Sequence, residues 1–563
     1  MKRILTTMLV LAAFVNLFAG CTPKTGGPTH TEQIDRNRTQ LYVSNYNGGI
    51  GTDWLYDVKA RFEETYKDEC FELGTDKRGV QILVNPNKDS GTTLTSTLPG
   101  STDEVFFAED IPYYDWVSKN MLANLTDIFT SPAAEGEEAV QEKLTQTQRE
   151  MLSVDGKYYA LPHYDGVRGL QYDVDLFERK MLYFSRDPDN GNNGFVTSAT
   201  EERSLGPDGK TGVIDGVDYS LDDGLPSTYD EFFALCDYMV QRNVTPFIWT
   251  GMYDDYTLYI ENAIFDAYST ETEASLTLTF DSGEETVRVV TGFDSSDKPV
   301  IENVKVTEQN GYYVFQLAGR YYGLDFLQRM LSDKQYYSLS STDETFSHLD
   351  AQEEFIYSSL ENEPIAMLMD GNYWENEAKG AFSRSVSEFG ERAENRRFAW
   401  MPLPRGTQEG KVVMRDNMRS YAFINATVEN DPDKLALAKT FLRFCYSDAE
   451  LQNFTVSTGV TKAIDYTLTQ EQEESLSYYA KSFWNYRKNA QMIYNLSSNA
   501  IYKNNETTFT TNIWRSAADM GYVYPINAFR SSGGVSTRKY FEGMWLTPET
   551  WTSRYRQYFT GAD

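Results

Sequence analysis

Histidine is scarce in this chain. Among 563 residues only His30, His163 and His348 occur, which argues against a histidine-based metal centre and against a Ser-His-Asp triad. Cysteine is scarce too: Cys21, Cys70, Cys236 and Cys445 form no CxxC and no Cys/His cluster with zinc-ligand spacing. Positive charge falls short, with 51 Lys and Arg against 83 Asp and Glu and a net charge of -32. Such a surface repels phosphate backbones and anionic lipid heads, so nucleic acid is excluded as a partner. Long apolar runs are missing as well. The one stretch at 4–18 is interrupted by Thr6, Thr7 and Asn16, and is too short for a membrane span. No repeat of solenoid length is found.

What is present is a globular chain rich in tyrosine. Hydrophobic residues make up 40%, which rules out wholesale disorder, and the length calls for two or three compact lobes. Aromatics make up 14%, mostly 39 Tyr and 32 Phe. Tyrosine joins an apolar face to a polar tip.

The first twenty residues read as an export signal. Lys2 and Arg3 precede the apolar stretch, and the small residues Ala19 and Gly20 precede Cys21. The quartet FAGC at 18–21 resembles a bacterial lipobox, with Phe18 in place of the usual Leu. Cys21 is the expected lipidation site, giving a membrane attachment through acyl chains alone. An ordinary cleavage site with an incidental cysteine is the alternative. Residues 21–38 are polar, rich in Thr, Gly and Pro, and read as a flexible tether. With Cys21 modified, the other three thiols cannot all pair, and buried free thiols are expected.

Beyond the tether, short apolar runs alternate with helical patterns. Strands are expected at 41–44, 79–84, 105–108, 246–249 and 365–369, with helices between them, so the fold class is α/β. Asp53 is a candidate cap for a helix carrying Leu55, Val58 and Phe62 on one face, and Thr228 with Glu231 forms a capping-box pattern. Over 275–317 the period changes to alternation at Leu276, Leu278 and Phe280, then at Val287 and Val289, which reads as a small antiparallel β insert. The loop at 185–226 is crowded with Asp, Asn and Gly. Asp187, Asp189 and Asn190 could serve calcium, although the spacing is only partly that of an EF-hand loop and the twelfth position is Ser198 rather than Glu. Plain turn chemistry explains the same residues. No other cofactor is expected.

Five landmarks stand in order along the chain: the lipobox and tether; EVFFAED at 104–110; YALP at 159–162 before Tyr172; AMLMDGNYW at 366–374; and FAWMPLP at 398–404 before a helix at 432–446. As an ordered set they resemble the extracellular family 1 solute-binding proteins of carbohydrate ABC importers, the class that contains maltose-binding protein. The resemblance implies a two-lobed periplasmic-binding-protein fold of the type II kind, with hinge strands between lobes that close over a ligand. Lobe 1 is then 39–162 plus 410–447, and lobe 2 is 163–409 plus 448–563. Hinges fall near Pro162 and His163, near Gly406 and near Asp448. Past Asn485 the match to well-known members weakens.

Sugars present apolar C–H faces and rings of hydroxyls, so a receptor needs aromatic faces beside carboxylates, amides and guanidinium groups. Strand ends supply both at several places. Asn45 and Asn47 flank Tyr46; Glu109 and Asp110 precede Tyr113; His163 and Tyr164 follow Pro162. Trp249 lies near Tyr253, and Tyr373 and Trp374 stand beside Glu375. The resemblance places Asp110 where a family carboxylate pairs sugar hydroxyls, and Trp374 where the family stacks a tryptophan. Arg419 and Trp514 are further candidates. The expected function is a monomeric lipoprotein on the outer face of the cell membrane, capturing an oligosaccharide for ABC permease subunits without turnover. A glycoside hydrolase, a receptor for another solute such as a peptide, and a surface glycan-binding adhesin remain as alternatives. With 83 acidic residues the acid count does not separate receptor from hydrolase.

Overall fold

The structure is a computed structural model that describes residues 32–405, 411–504, 506, 524–530 and 534–559. The export signal, Cys21, most of the tether, the expected hinge at Gly406 and Trp514 lie outside the described residues. Two principal sheets organise it.

The first sheet contains β1 (Thr39–Tyr46), β2 (Val80–Asn87), β3 (Val105–Ala108), β4 (Ala160–Pro162) and β14 (Tyr421–Ile424), in the order β2-β1-β3-β14-β4. β1 runs parallel to both β2 and β3, while β14 returns antiparallel between β3 and β4. β3 and β14 are buried along their whole length, as central strands covered on both faces must be. Helix Asp53–Thr65 covers one face with Trp54, Leu55, Val58 and Phe62. Thr52, not Asp53, takes its N-cap position. Phe106 and Phe423 stack across the sheet with ring centroids 5.2 Å apart.

The second sheet contains β5 (Arg168–Asp173), β8 (Thr245–Ile248), β11 (Ile365–Gly371) and β12 (Phe398–Trp400), in the order β12-β5-β11-β8. β11 is buried throughout, antiparallel to β5 and parallel to β8. Tyr172, Phe232, Phe247 and Met369 fill the core on one side; Trp374, Phe398 and Trp400 pack on the other. Helix Tyr229–Gln241 begins with the Thr228–Glu231 capping box that its sequence announces.

A third core lies beside the second sheet, where hairpin β9 (Val287–Phe293) and β10 (Pro299–Val304) meets helix Ala318–Ser332 and helix Pro548–Arg554. The expected insert is narrower than 275–317. Residues Glu271–Thr279 form a helix, opened by a Thr270–Glu273 capping box. The alternation at Leu276 and Leu278 misleads because this helix is buried on two faces: Leu278 packs into the first core and Leu276 into the third. Ribbon β6 (Val213–Ile214) and β7 (Val217–Asp218) folds the acidic loop back on itself.

β13 (Val412–Asp416) and β15 (Ala490–Tyr494) pair in parallel between the lobes. Val413 and Ile493 face the first core, whereas Val412 and Met414 face the second. The boundary expected at 447 moves, since Leu451, Phe454, Val460 and Ile464 all pack into the first core. Cys236 and Cys445 are buried free thiols, and Cys70 is a half-buried one.

Candidate functional site

The C-terminal ends of β1, β3 and β4 meet the C-terminal ends of β8 and β11 between the lobes, where open α/β sheets place ligands. β1 leads into a loop that passes Tyr373, just beyond β11. Gly49 makes this approach possible: its φ is +52°, and a Cβ there would stand 3.2 Å from the Tyr164 hydroxyl and 3.5 Å from Tyr373 Cγ. Its amide donates to Glu377 Oε1 at 2.9 Å, joining lobe 1 to lobe 2.

Carboxyls crowd this junction. Glu109, buried at the end of β3, accepts a hydrogen bond from the Tyr164 hydroxyl. Burial pushes Glu109 up to about 8, and the charge of Glu377 adds to the rise. Asp370, at the end of β11, is also buried and is pushed up first by burial, then by Glu377. The Gln352 amide bridges the two acids, donating to Asp370 Oδ2 at 2.9 Å and to Glu377 Oε2 at 3.0 Å. Tyr46 is held up to about 12, by burial first and then by Glu109, Glu377 and Asp110.

A tyrosine ladder forms the adjoining wall. Tyr253, Tyr256 and Tyr259 recur every third residue through a short turn (Asp254–Tyr256) and the start of helix Thr257–Tyr268, which brings them onto one face. Their ring centroids are 6.2 Å and 4.3 Å apart, and both pairs stack. The His348 ring lies 5.9 Å from Tyr253 and 6.0 Å from Tyr256. Arg168, first residue of β5, sits with its guanidinium carbon 4.1 Å from the Tyr259 ring centroid. Tyr253 is exposed, Tyr256 half-buried and Tyr259 buried, so the ladder descends from solvent to the interior. Its rings offer flat apolar faces beside acceptors that match a polyhydroxylated ring.

A known structure with the same fold superposes at a TM-score above one half. A chitin oligosaccharide binding protein superposes with a TM-score of 0.52 at 14% identity, covering 92% of this chain and 99% of that one. RafE from Streptococcus pneumoniae gives 0.49 at 15% identity, over 88% of this chain and 98% of that one. The fold is that of a two-lobed solute-binding protein. No family model matches the chain, and no curated protein matches its sequence.

Within this solute-binding fold the sequence-predicted residues divide. Glu109, Tyr164, Tyr253 and Tyr373 stand at the interlobe junction or on the ladder. Asp110 lies beside them, pairing with Arg419. Both members of that pair hold left-handed backbone, φ 57° and 47°, where the chain doubles back at the sheet end. Asn45 is buried and spends its amide on the carbonyls of Tyr46 and Gly51, at 2.8 and 3.1 Å, so it shapes the loop. Asn47 is exposed next to it.

Most other candidates are core, and Glu375 is half-buried. Trp374 is fully buried among Phe355, Phe382, Phe398 and Tyr479, and presents no face to the junction. Trp249 is buried against Tyr337, with ring centroids 5.3 Å apart. Tyr113 is buried and donates its hydroxyl to the Leu152 carbonyl at 2.6 Å. Glu375 accepts from the Ser477 hydroxyl at 2.7 Å, and burial lifts it to about 7. His163 packs against Trp54 and Phe107, and its Nδ1 lies 2.8 Å from Lys462 Nζ. A core and a ligand platform both call for an aromatic side chain at a strand end, so sequence alone does not separate them.

Sequence reasoning missed Arg168, Tyr256, Tyr259, Gln352 and Glu377. The three-residue tyrosine spacing at 253–259 was a usable signal. Gln352 and Glu377 carried none, because their partners come from other elements. In the acidic loop, Asp187 Oδ1 accepts the Asp189 amide at 3.0 Å, and Asn190 donates to Glu201 Oε1 at 2.7 Å. The first is a turn bond and the second ties the loop to itself eleven residues on, and among the described residues no group of three His, Cys, Asp or Glu could hold a metal ion.

Where the chain crosses between lobes, backbone and side chains interlock. Asn372 accepts the Val167 amide at 3.1 Å and donates to the Asp165 carbonyl at 2.9 Å. Asp416 accepts the amides of Gly166 and Met418 at 3.1 and 3.0 Å. Arg487 donates to buried Asp165 at 2.9 Å.

Proposed function

We propose that this protein is a receptor that takes an oligosaccharide between its two lobes and releases it unaltered to an ABC importer. The observation that carries the reading is the tyrosine ladder standing beside the Asp370 and Glu377 carboxyls of its own lobe, where Gly49 and Glu109 of the first lobe meet them at the interlobe junction. Stacked rings accept the C–H face of a sugar, and carboxyl and amide groups beside them pair its hydroxyls. The fold neighbour's own name, a chitin oligosaccharide binding protein, agrees with a saccharide ligand. The lipobox-like FAGC and the polar tether support a chain held at the outer face of the membrane through Cys21.

Calorimetry of the purified protein against a panel of neutral and amino-sugar oligosaccharides tests the ligand class. Saturable heat with at least one sugar and none with peptides is the expected result. Incubation with a fluorescently labelled oligosaccharide tests turnover. Recovery of the intact ligand is expected, and shortened products would favour a glycoside hydrolase.

A further inference from the structure

Carboxyl groups of both lobes come together where the lobes meet, and groups from the second lobe cover the acid of the first. Glu109 of the first lobe is 6% exposed. Its Oε1 accepts the Tyr164 hydroxyl, and a Cβ on Gly49 would meet both that hydroxyl and the Tyr373 ring. Tyr373 follows β11 of the second lobe, yet its ring packs into the first core. Glu377, on the same segment, accepts the Gly49 amide and sets its charge near Glu109. Parting the lobes would draw Tyr373 and Glu377 away from Glu109 and let water reach it.

The charges around this acid do not balance. Burial first, then Glu377, hold Glu109 up at about 8; Asp416, at the end of β13, adds to the rise, while Tyr164 and Arg168 oppose it. Arg168 also faces Asp370, but its guanidinium rests on the Tyr259 ring, and among the described residues it forms an ion pair with neither acid. Asp370 has both oxygens engaged, by the Gly371 amide at 2.7 Å and by Gln352 at 2.9 Å. Asp110 is paired with Arg419, and exposed Asp255 faces Arg168. The remaining neighbours are phenols: Tyr46 of β1, Tyr164, Tyr256, Tyr259 and Tyr373. Burial raises every one of them above the ordinary value, so none supplies a charge. One guanidinium thus stands among Glu109, Asp370, Glu377 and Asp416. Carboxylates this close in a dry site do not all ionise, and a retained proton relieves them.

We propose that lobe closure is coupled to a proton: Glu109 takes one up from water as the lobes meet and returns it as they part. The proton is then a second ligand of the cleft, a role that rests on the junction being where the oligosaccharide binds. The closed arrangement holds more protons than the open one, so rising pH favours the open one. By reciprocity, anything that closes the lobes binds more weakly in alkaline solution.

Small-angle scattering of the ligand-free full chain between pH 6 and pH 9 tests the coupling. The radius of gyration should grow over that range. Glu109→Gln keeps an acceptor for the Tyr164 hydroxyl without a titrating group, and should lose the growth. Glu377→Gln keeps an acceptor for the Gly49 amide but removes the charge acting on Glu109, and should reduce it. Asp416→Asn keeps the oxygen that accepts the Gly166 and Met418 amides, and should retain it. Melting curves show that each variant is folded. Scattering that does not change with pH overturns the proposal, as does growth that persists in full in Glu109→Gln and Glu377→Gln. Growth lost in Asp416→Asn and kept in Glu109→Gln would assign the proton to the hinge, and overturns it too. No sugar enters these measurements, so their failure leaves the oligosaccharide reading standing, and failure of every sugar to bind leaves the proton coupling standing.

Discussion

Glu377 of the second lobe accepts the backbone amide of Gly49 from the first at 2.9 Å. Their separation in sequence is 328 residues, so the bond exists only when the lobes meet. A hydrogen bond to a charged group contributes about 1.5–3 kcal/mol. Glu377→Ala removes it while Asp370 still receives the Gln352 amide. The expected outcome is oligosaccharide affinity lowered roughly tenfold or more with unchanged melting. Calorimetry reads the affinity, and small-angle scattering should show a more open average shape.

Tyr256 and Trp374 should behave in opposite ways on truncation. Tyr256 is half-buried on the ladder, so Tyr256→Ala should cost about 1–2 kcal/mol of ligand affinity and little stability. Trp374 is enclosed by aromatic side chains, so Trp374→Ala should cost about 3–5 kcal/mol of folding stability. Denaturant titration and calorimetry on both variants separate the two effects. Loss of affinity in Trp374→Ala without loss of stability would contradict the core assignment.

Lys462 is buried, with its ammonium nitrogen 4.3 Å from the Phe454 ring centroid and 5.0 Å from those of Trp54 and Tyr446. Burial pulls it down to about 7 from 10.5. Between pH 7 and 10.5 the unfolded chain therefore holds a proton that the folded chain has lost, and stability rises with pH through that window. Below it both states are protonated and the burial penalty is complete. Lys462→Met should stabilise the protein near pH 7, and its advantage over the parent should shrink toward pH 10. Chemical denaturation at several pH values measures the difference.

Glu109 follows the opposite sign. Its folded value is raised to about 8 from 4.5, so the folded state binds the extra proton between those values. Its contribution is complete below pH 4.5 and is lost as pH rises through 8. Glu109→Gln keeps a neutral side chain of similar shape at all pH values. Melting temperatures of this variant should match the parent at pH 5 and exceed them at pH 9. Equal values at both would remove Glu109 as a buried acid.

Buried Asp165 pairs with half-buried Arg487 at the crossing between lobes. Arg487→Ala leaves the Asp165 carboxylate without its cation, and loss of one partner of such a pair costs about 3–5 kcal/mol. Urea unfolding should show the drop, and Asp165→Asn added to Arg487→Ala should restore part of it.

Much of the fold was written in local pattern. The apolar runs at 105–108 and 365–369 are strands because central strands are covered on both faces, and the capping box at Thr228 opens its helix because Glu231 lies one turn away. Strand ends then pointed to Glu109, Tyr164 and Tyr373. Local pattern misled at Leu276 and Leu278, where a helix buried on two sides imitates alternation. It also misled at Trp374, because a tryptophan beside a strand end reads the same whether it faces ligand or core.

The sequence by itself determined the α/β class, strands such as those at 105–108 and 365–369, and the acidic, tyrosine-rich composition, though not β12 or β14. Those follow from periodicity, capping and composition, which act over a few residues. Only the tertiary structure decided that Gln352 bridges Asp370 to Glu377, that Arg168 rests against Tyr259, and that Gly49 touches the opposite lobe. Each joins groups from separate elements, and their meeting depends on how the lobes pack, a relation no local pattern encodes.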